Sequence, residues 1–143
     1  MRTVVDTIRK PDTSTKRKHL LFKSGVSAGF PSPAADYEEG KLDLNKHLIR
    51  NPAATFFVRV NGDSMIGVGI HPGDLLVVDR SLEPVDKSVV IAVVNGELTV
   101  KRIRLRKGKV TLQPENENYP AWQITECVEF EVWGVVTNVI HAL

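Results

Sequence analysis

From Thr55 onward the chain alternates short apolar runs with turn signals, and this pattern predicts strands. Thr55-Phe56-Phe57-Val58-Arg59-Val60 is the first such run. Leu75-Leu76-Val77-Val78-Asp79 follows the turn signal His71-Pro72-Gly73-Asp74, and is long enough only for a core strand. Ser88–Val94 is a second buried strand. Asn95-Gly96 joins it to Glu97–Leu105, and Asn-Gly between two β-type runs is a strong hairpin signal. Lys107-Gly108-Lys109 turns the chain into Val110–Gln113, Pro114–Pro120 is loop, and Phe130–Ile140 is a closing strand with a bend at Gly134. Helical spacing is confined to Asp43–Arg50. There Asp43 can cap the start, Leu44, Leu48 and Ile49 supply an inward face, and Asn51-Pro52 stops the helix. Many short strands, short connections and almost no helix predict a mainly β, compactly coiled and mostly antiparallel fold.

Before this body the pattern differs. Met1 to about Lys23 is polar and basic with little apolar periodicity, and predicts an arm too short for a helix-turn-helix domain. Leu20-Leu21-Phe22 is its one apolar patch, a place for the arm to dock. Ser24–Pro33, rich in small residues and proline, predicts an extended linker of the shape a protease cleft accepts. Charge follows the same division. Residues 1–28 hold seven Lys/Arg against Asp6 and Asp12, whereas the rest holds twelve against fifteen acids. The basic arm is either a solvated tail or a contact for nucleic acid or another acidic surface.

At 143 residues the chain suits one domain with a real core. No apolar run approaches the roughly 20 residues of a membrane span, and the N-terminus lacks the apolar core of a signal peptide. The expected location is the cytoplasm, with no membrane partner. Cys127 is the single cysteine, expected as a semi-buried thiol. His19, His47, His71 and His141 are scattered and show no metal-ligand spacing, so neither metal nor cofactor is expected.

The candidate chemistry lies in Val60-Asn61-Gly62-Asp63-Ser64-Met65-Ile66-Gly67. Ser64 is delivered on a tight turn at a strand end, with its hydroxyl free. Such a serine either shapes the turn or acts as a nucleophile, provided a base lies nearby. In the strand after Asn95-Gly96 the apolar phase slips. Leu98 and Val100 take even positions, Ile103 and Leu105 odd ones, and Lys101 shares the odd phase. A bulge near Lys101-Arg102 would reconcile the halves and leave Arg102 and Arg104 solvated. Lys101 then points at the core. Otherwise it is one more exposed cation. Burial lowers a lysine pKa and would make it a usable base, as in Ser-Lys variants of the catalytic triad. Asp63 is expected to hold the turn.

Together Phe30-Pro31-Ser32-Pro33-Ala34-Ala35-Asp36-Tyr37, Gly62-Asp63-Ser64-Met65, Gly73–Asp79 and Val100-Lys101-Arg102 resemble the UmuD branch of the LexA, UmuD and phage-repressor family of self-cleaving serine peptidases. The resemblance runs from about Leu20 to the C-terminus. It implies a LexA C-terminal-domain type of β-fold, Ser64 as nucleophile and Lys101 as general base. It also implies a self-cleavage bond at Ala28-Gly29 and an oxyanion hole from the backbone N–H groups of Ser64 and Met65. Residues 1–28 would be the arm removed and 29–143 the peptidase-like domain. The partners implied are a second copy in a homodimer, the RecA filament on single-stranded DNA, and a UmuC-type translesion polymerase. The long basic arm before Leu20 departs from the family and can add a nucleic-acid contact. Two other readings stand beside it. One is a non-cleaving LexA-like dimerisation or regulatory binding domain. The other, a signal peptidase, requires a membrane anchor.

Overall fold

The computed structural model describes residues 2–14, 18–22 and 38–143. Two compact units emerge, Met1–Pro11 with Asn51–Leu143, and Asp12–Arg50.

In chain order the strands are β1 (Val4–Arg9), β2 (Lys18–Phe22), β3 (Glu38–Asp43), β4 (Thr55–Asn61), β5 (Leu75–Asp79), β6 (Val89–Val94), β7 (Glu97–Arg106), β8 (Lys109–Gln113), β9 (Trp122–Gln123) and β10 (Phe130–Ile140). The one α-helix among the described residues, α1 (Leu44–Leu48), follows β3.

In the smaller unit β2 and β3 pair antiparallel, from Lys18↔Asp43 to Phe22↔Glu38. Asp43 caps α1 as expected, its carboxylate accepting the Asn45 N–H. The expected inward face is corrected at Leu44, which is 49% exposed, while Ile49 is buried. A five-residue helix turns too little to present three positions on one side.

The larger unit is one sheet ordered β1-β4-β5-β10-β6-β7-β8-β9, with an additional pairing of β1 with β7. That pairing closes β1, β4, β5, β10, β6 and β7 into a ring. All described pairs are antiparallel, and the mainly β fold is the one expected. Asn95 and Gly96 both take positive φ, 49° and 82°, as a two-residue hairpin turn requires. The ladder between β10 and β6 shifts register between Val132 and Gly134, and a Cβ on Gly134 would strike the Val78 side chain. Glycine is therefore demanded there by close approach.

Two apolar clusters form the core. Val58, Val60, Met65, Ile70, Leu76, Val78, Ile91 and Val100 make the first. Val90, Ala92, Val94, Ile103 and Leu112 make the second. This division explains the phase slip in β7. Val100 enters the first cluster and Ile103 the second, so the strand is covered on both faces. Pairing with β6 is unbroken from Val89↔Arg102 to Val94↔Glu97, which corrects the expected bulge.

β1 is the largest departure from expectation. Val4–Arg9, expected as arm, pairs with β4 from Val4↔Asn61 to Arg9↔Phe57. Val4, Val5, Thr7 and Ile8 are β-branched, but a register shift between Val5 and Thr7 breaks their alternation and hides the strand in sequence. Cys127 is also corrected, being exposed.

Candidate active site

Ser64 leaves β4 through Gly62, whose φ of +94° suits glycine. Four contacts then fix the turn. The Glu115 N–H donates to the Ser64 carbonyl at 2.8 Å, and the Gly67 N–H to the Glu115 carbonyl at 2.7 Å. The Asn116 amide donates to the Asp63 carbonyl at 2.9 Å, and the Tyr119 hydroxyl to the Asp63 carboxylate at 2.6 Å. The Tyr119 hydroxyl, by donating, holds the Asp63 carboxyl below its ordinary pKa, so Asp63 holds the turn as expected. The Met65 side chain is wholly buried in the first core cluster and anchors the turn from beneath.

Lys101 arrives from β7. Its Nζ lies 3.1 Å from Ser64 Oγ, 3.3 Å from Thr99 Oγ1 and 3.1 Å from the Val100 carbonyl oxygen. The side chain is 4% exposed, so of the two orientations left open by the sequence the buried one is found. Its recorded partners are neutral oxygens. Removal from water, then the positive charge of Arg2, lowers its pKa from 10.5 to about 8. A fraction of the amine is neutral near pH 7, and a neutral amine at this distance can accept the Ser64 proton. The flanking arginines are not solvated as expected. Arg102 is half-buried against Glu115, and Arg104 pairs with Asp86 at 3.2 Å.

The Ser64 hydroxyl is not free either. Ser64 is 0% exposed, and the Thr3 N–H donates to its Oγ at 2.7 Å. Thr3 is itself 0% exposed, and its carbonyl accepts from the Val100 N–H at 3.2 Å and from Thr99 Oγ1 at 2.9 Å. A Cβ on Gly62 would run into the Arg2 carbonyl, so Gly62 is also where this N-terminal segment passes closest to the turn. Nothing local in sequence signals a contact between residues 61 positions apart.

With a serine and a partly neutral lysine meeting on a β-fold, comparison with known proteins becomes decisive. Residues 21–137 match the family described as Peptidase S24-like. The chain belongs to that family. It is 52% identical over 121 residues to protein SamA of Salmonella typhimurium, covering 85% of this chain and 84% of SamA. It is 44% identical over 141 residues to protein ImpA of Escherichia coli, covering 99% and 96% respectively. A LexA repressor, from Hahella chejuensis, is 38% identical over 112 residues, which is 78% of this chain and 56% of the repressor. The likeness to the LexA and UmuD peptidases therefore stands.

Of the residues named from sequence, the structure brings Ser64 and Lys101 together and buries the Met65 side chain in the first core cluster. Ala28 and Gly29 lie outside the described residues. Among the described residues no helix is long and apolar enough to cross a membrane.

A second polar cluster was missed. His71, Asp74 and His141 each offer a ligand atom, and these atoms lie within 4.8 Å of one another. In sequence the histidines are scattered, and no local signal joins the Asp74 turn to His141, just past β10 and 67 residues on. These are the residues in the described part of the chain that could hold a metal ion.

Proposed function

We propose that this protein cleaves its own chain at Ala28-Gly29 with Ser64 as nucleophile and Lys101 as general base. The observation that carries this reading is the 3.1 Å separation of Lys101 Nζ and Ser64 Oγ, both buried. Neutral Lys101 takes the hydroxyl proton as Oγ attacks the Ala28 carbonyl carbon. The N–H groups of Ser64 and Met65 stabilise the resulting oxyanion. Collapse breaks the Ala28–Gly29 bond, the leaving amine takes its proton from the Lys101 ammonium, and water then hydrolyses the acyl-serine. Tethering raises the effective concentration of the scissile bond, so a modest nucleophile suffices.

The truncated product, residues 29–143, loses the basic arm. By likeness to the UmuD branch, it acts in SOS mutagenesis as a homodimeric regulatory subunit of an error-prone translesion polymerase. The RecA filament on single-stranded DNA promotes cleavage by preferring the cleavage-competent state.

Incubation at alkaline pH, or with activated RecA filaments, is expected to release a fragment beginning at Gly29, identified by intact mass and N-terminal sequencing. Ser64→Ala and Lys101→Ala are each expected to remain whole. Undiminished cleavage in either variant removes the dyad. A wild-type chain that stays whole under both conditions favours the non-cleaving binding domain.

A further inference from the structure

The geometry points to a groove between β4 and β7 that accepts an extended strand, with residues 2–9 of the chain itself as a removable occupant that competes with the cleavage segment. Ring closure at this seam rests on the one pair Val4↔Thr99. The Thr3 amide satisfies Ser64 Oγ on one side, and the Thr3 carbonyl takes the Val100 N–H and the Thr99 hydroxyl on the other. All three use only backbone groups of Thr3, and any extended segment in register could make them in its place. A carbonyl carbon under attack must come to roughly 3–3.5 Å from Oγ. With the Thr3 N–H on Oγ and both residues wholly buried, that position is closed to a second segment.

Beyond the buried Thr3, the occupant is held mainly by its backbone, through the ladder with β4. In β1 only Val4 and Val5 are half-buried, and Asp6 to Arg9 are exposed. Arg2 adds an ion pair to Glu97 at 3.6 Å between largely exposed groups, which contributes little. An occupant that closes the site through bonds another extended segment can replace sets the fraction of chains open to substrate, and apparent affinity falls by that fraction.

The inference rests on the cleavage reading only for its consequence, so binding and cleavage are measured separately. A fluorescent peptide of residues 2–11 is titrated into the full chain and into a chain lacking residues 2–10. Tight binding to the shortened chain and binding at least about tenfold weaker to the full chain are expected. Equal binding, or binding to neither, overturns the proposal. The shortened chain is expected to cleave itself at least about tenfold faster. If the peptide binds as expected but no chain is ever cleaved, the occupied groove stands and the cleavage reading falls. A second variant covers failure of the shortened chain to fold. Thr7 and Arg59 are cross-strand partners, so Thr7→Cys with Arg59→Cys, in a Cys127→Ser background, can lock β1 onto β4. The oxidised full chain is expected to resist peptide binding and the reduced chain to admit it. Identical behaviour in both redox states overturns the proposal.

An independent observation carries a second inference, a divalent transition-metal site at His71, Asp74 and His141. Asp74 is 4% exposed, accepts the His71 N–H at 2.8 Å, and lies 2.5 Å from His141 Nδ1. His71 Nδ1 is buried without a hydrogen-bond partner, 3.8 Å from the Asp74 carboxylate, and the two imidazole rings stand 4.6 Å apart. Two imidazoles and one carboxylate suit zinc, whereas magnesium and calcium prefer oxygen ligands. Coordination at roughly 2.0–2.1 Å requires the Asp74–His141 pair to open slightly, since two ligands on one ion sit farther apart than a short hydrogen bond. The ion would tie the end of β10 to the turn that follows the Ser64 loop, with water completing the shell.

Calorimetric titration of zinc into the full chain is expected to show one ion per chain and a rise in melting temperature that a chelator reverses. His71→Ala and His141→Ala should each weaken binding by at least about tenfold, the least that loss of even an outer-shell partner of a metal site brings. Equal binding of magnesium, or zinc binding retained in the double variant, overturns the site.

Discussion

Lys101 on β7 and Asp79 at the end of β5 are both buried charges whose pKa is lowered, and the same direction has opposite meanings. Asp79 accepts from the Asn51 amide at 2.8 Å and from the Ser81 N–H at 2.8 Å. Burial alone would raise its pKa, but these donors outweigh burial and keep the carboxylate charged. Lys101 meets hydroxyl and carbonyl oxygens, and among the described residues no carboxylate pairs with it. Desolvation wins, and the amine loses its charge more readily. One site spends its polar partners on holding structure, the other leaves its amine without a counter-charge. That contrast separates a structural ion from one suited to the proposed proton transfer.

The sharpest break of the comparison is Lys101→Met. Self-cleavage is expected to fall by at least about a thousandfold, the scale of a lost triad member. Stability should move the other way. A lysine pKa lowered from 10.5 to about 8 corresponds to roughly 3 kcal/mol at neutral pH. The unfolded chain binds the extra proton between those two values, so the penalty is full below about 8 and fades as pH rises toward 10.5. Methionine should therefore stabilise by about 1–3 kcal/mol at pH 7 and by little near pH 10.5, read from urea midpoints. A destabilised Lys101→Met at neutral pH would mean that the three hydrogen bonds outweigh desolvation.

Asp79→Ala is the counterpart and should do the reverse. The Asn51 and Ser81 donors lose their acceptor, and the loss is expected at about 1–3 kcal/mol. Cleavage per folded molecule should stay unchanged. A fall in cleavage at full folding would show that Asp79 belongs to the reactive region after all.

Next in size is the pH dependence of the wild type. With a base titrating at about 8, the neutral fraction rises about tenfold from pH 7 to pH 9, and the self-cleavage rate should follow it. A flat profile would dissociate Lys101 from proton transfer.

How much of this contrast the sequence carried depends on the distance between partners. Leu75–Asp79, Phe130–Ile140 and Asn95-Gly96 were legible because strand and hairpin signals are local. Lys101 was half legible. Its phase with Ile103 suggested burial, but the explanation in a bulge failed because a strand covered on both faces has no single phase. Thr3 was not legible as a partner of Ser64, nor His141 as a partner of Asp74. Each pair is joined only by pairing between strands far apart in sequence, β1 with β4 and β7 for the first and β5 with β10 for the second, at 61 and 67 residues' separation.

The smallest expected effect concerns what holds the Ser64 turn beside the Lys101 amine. Tyr119→Phe removes the hydroxyl that donates to Asp63, and the Asp63 carboxyl should then titrate at higher pH, nearer the ordinary carboxylate range. The sign follows from the depressed value. The carboxylate contributes stability above its unfolded pKa and loses it as pH falls through the folded one, so the variant has less of this contribution near neutral pH and its deficit against wild type disappears on acidification. Near neutral pH the Asn116 amide still holds the Asp63 carbonyl and the Glu115 N–H still holds that of Ser64. Cleavage should accordingly stay within about threefold of wild type, as for substitutions that leave buried contacts intact. Carboxyl titration by NMR checks the first part and fragment release the second. A loss approaching that of Lys101→Met would mean that a hydrogen bond to Asp63 sets the position of Ser64, and the division between structural and reactive groups would have to be redrawn through the turn itself.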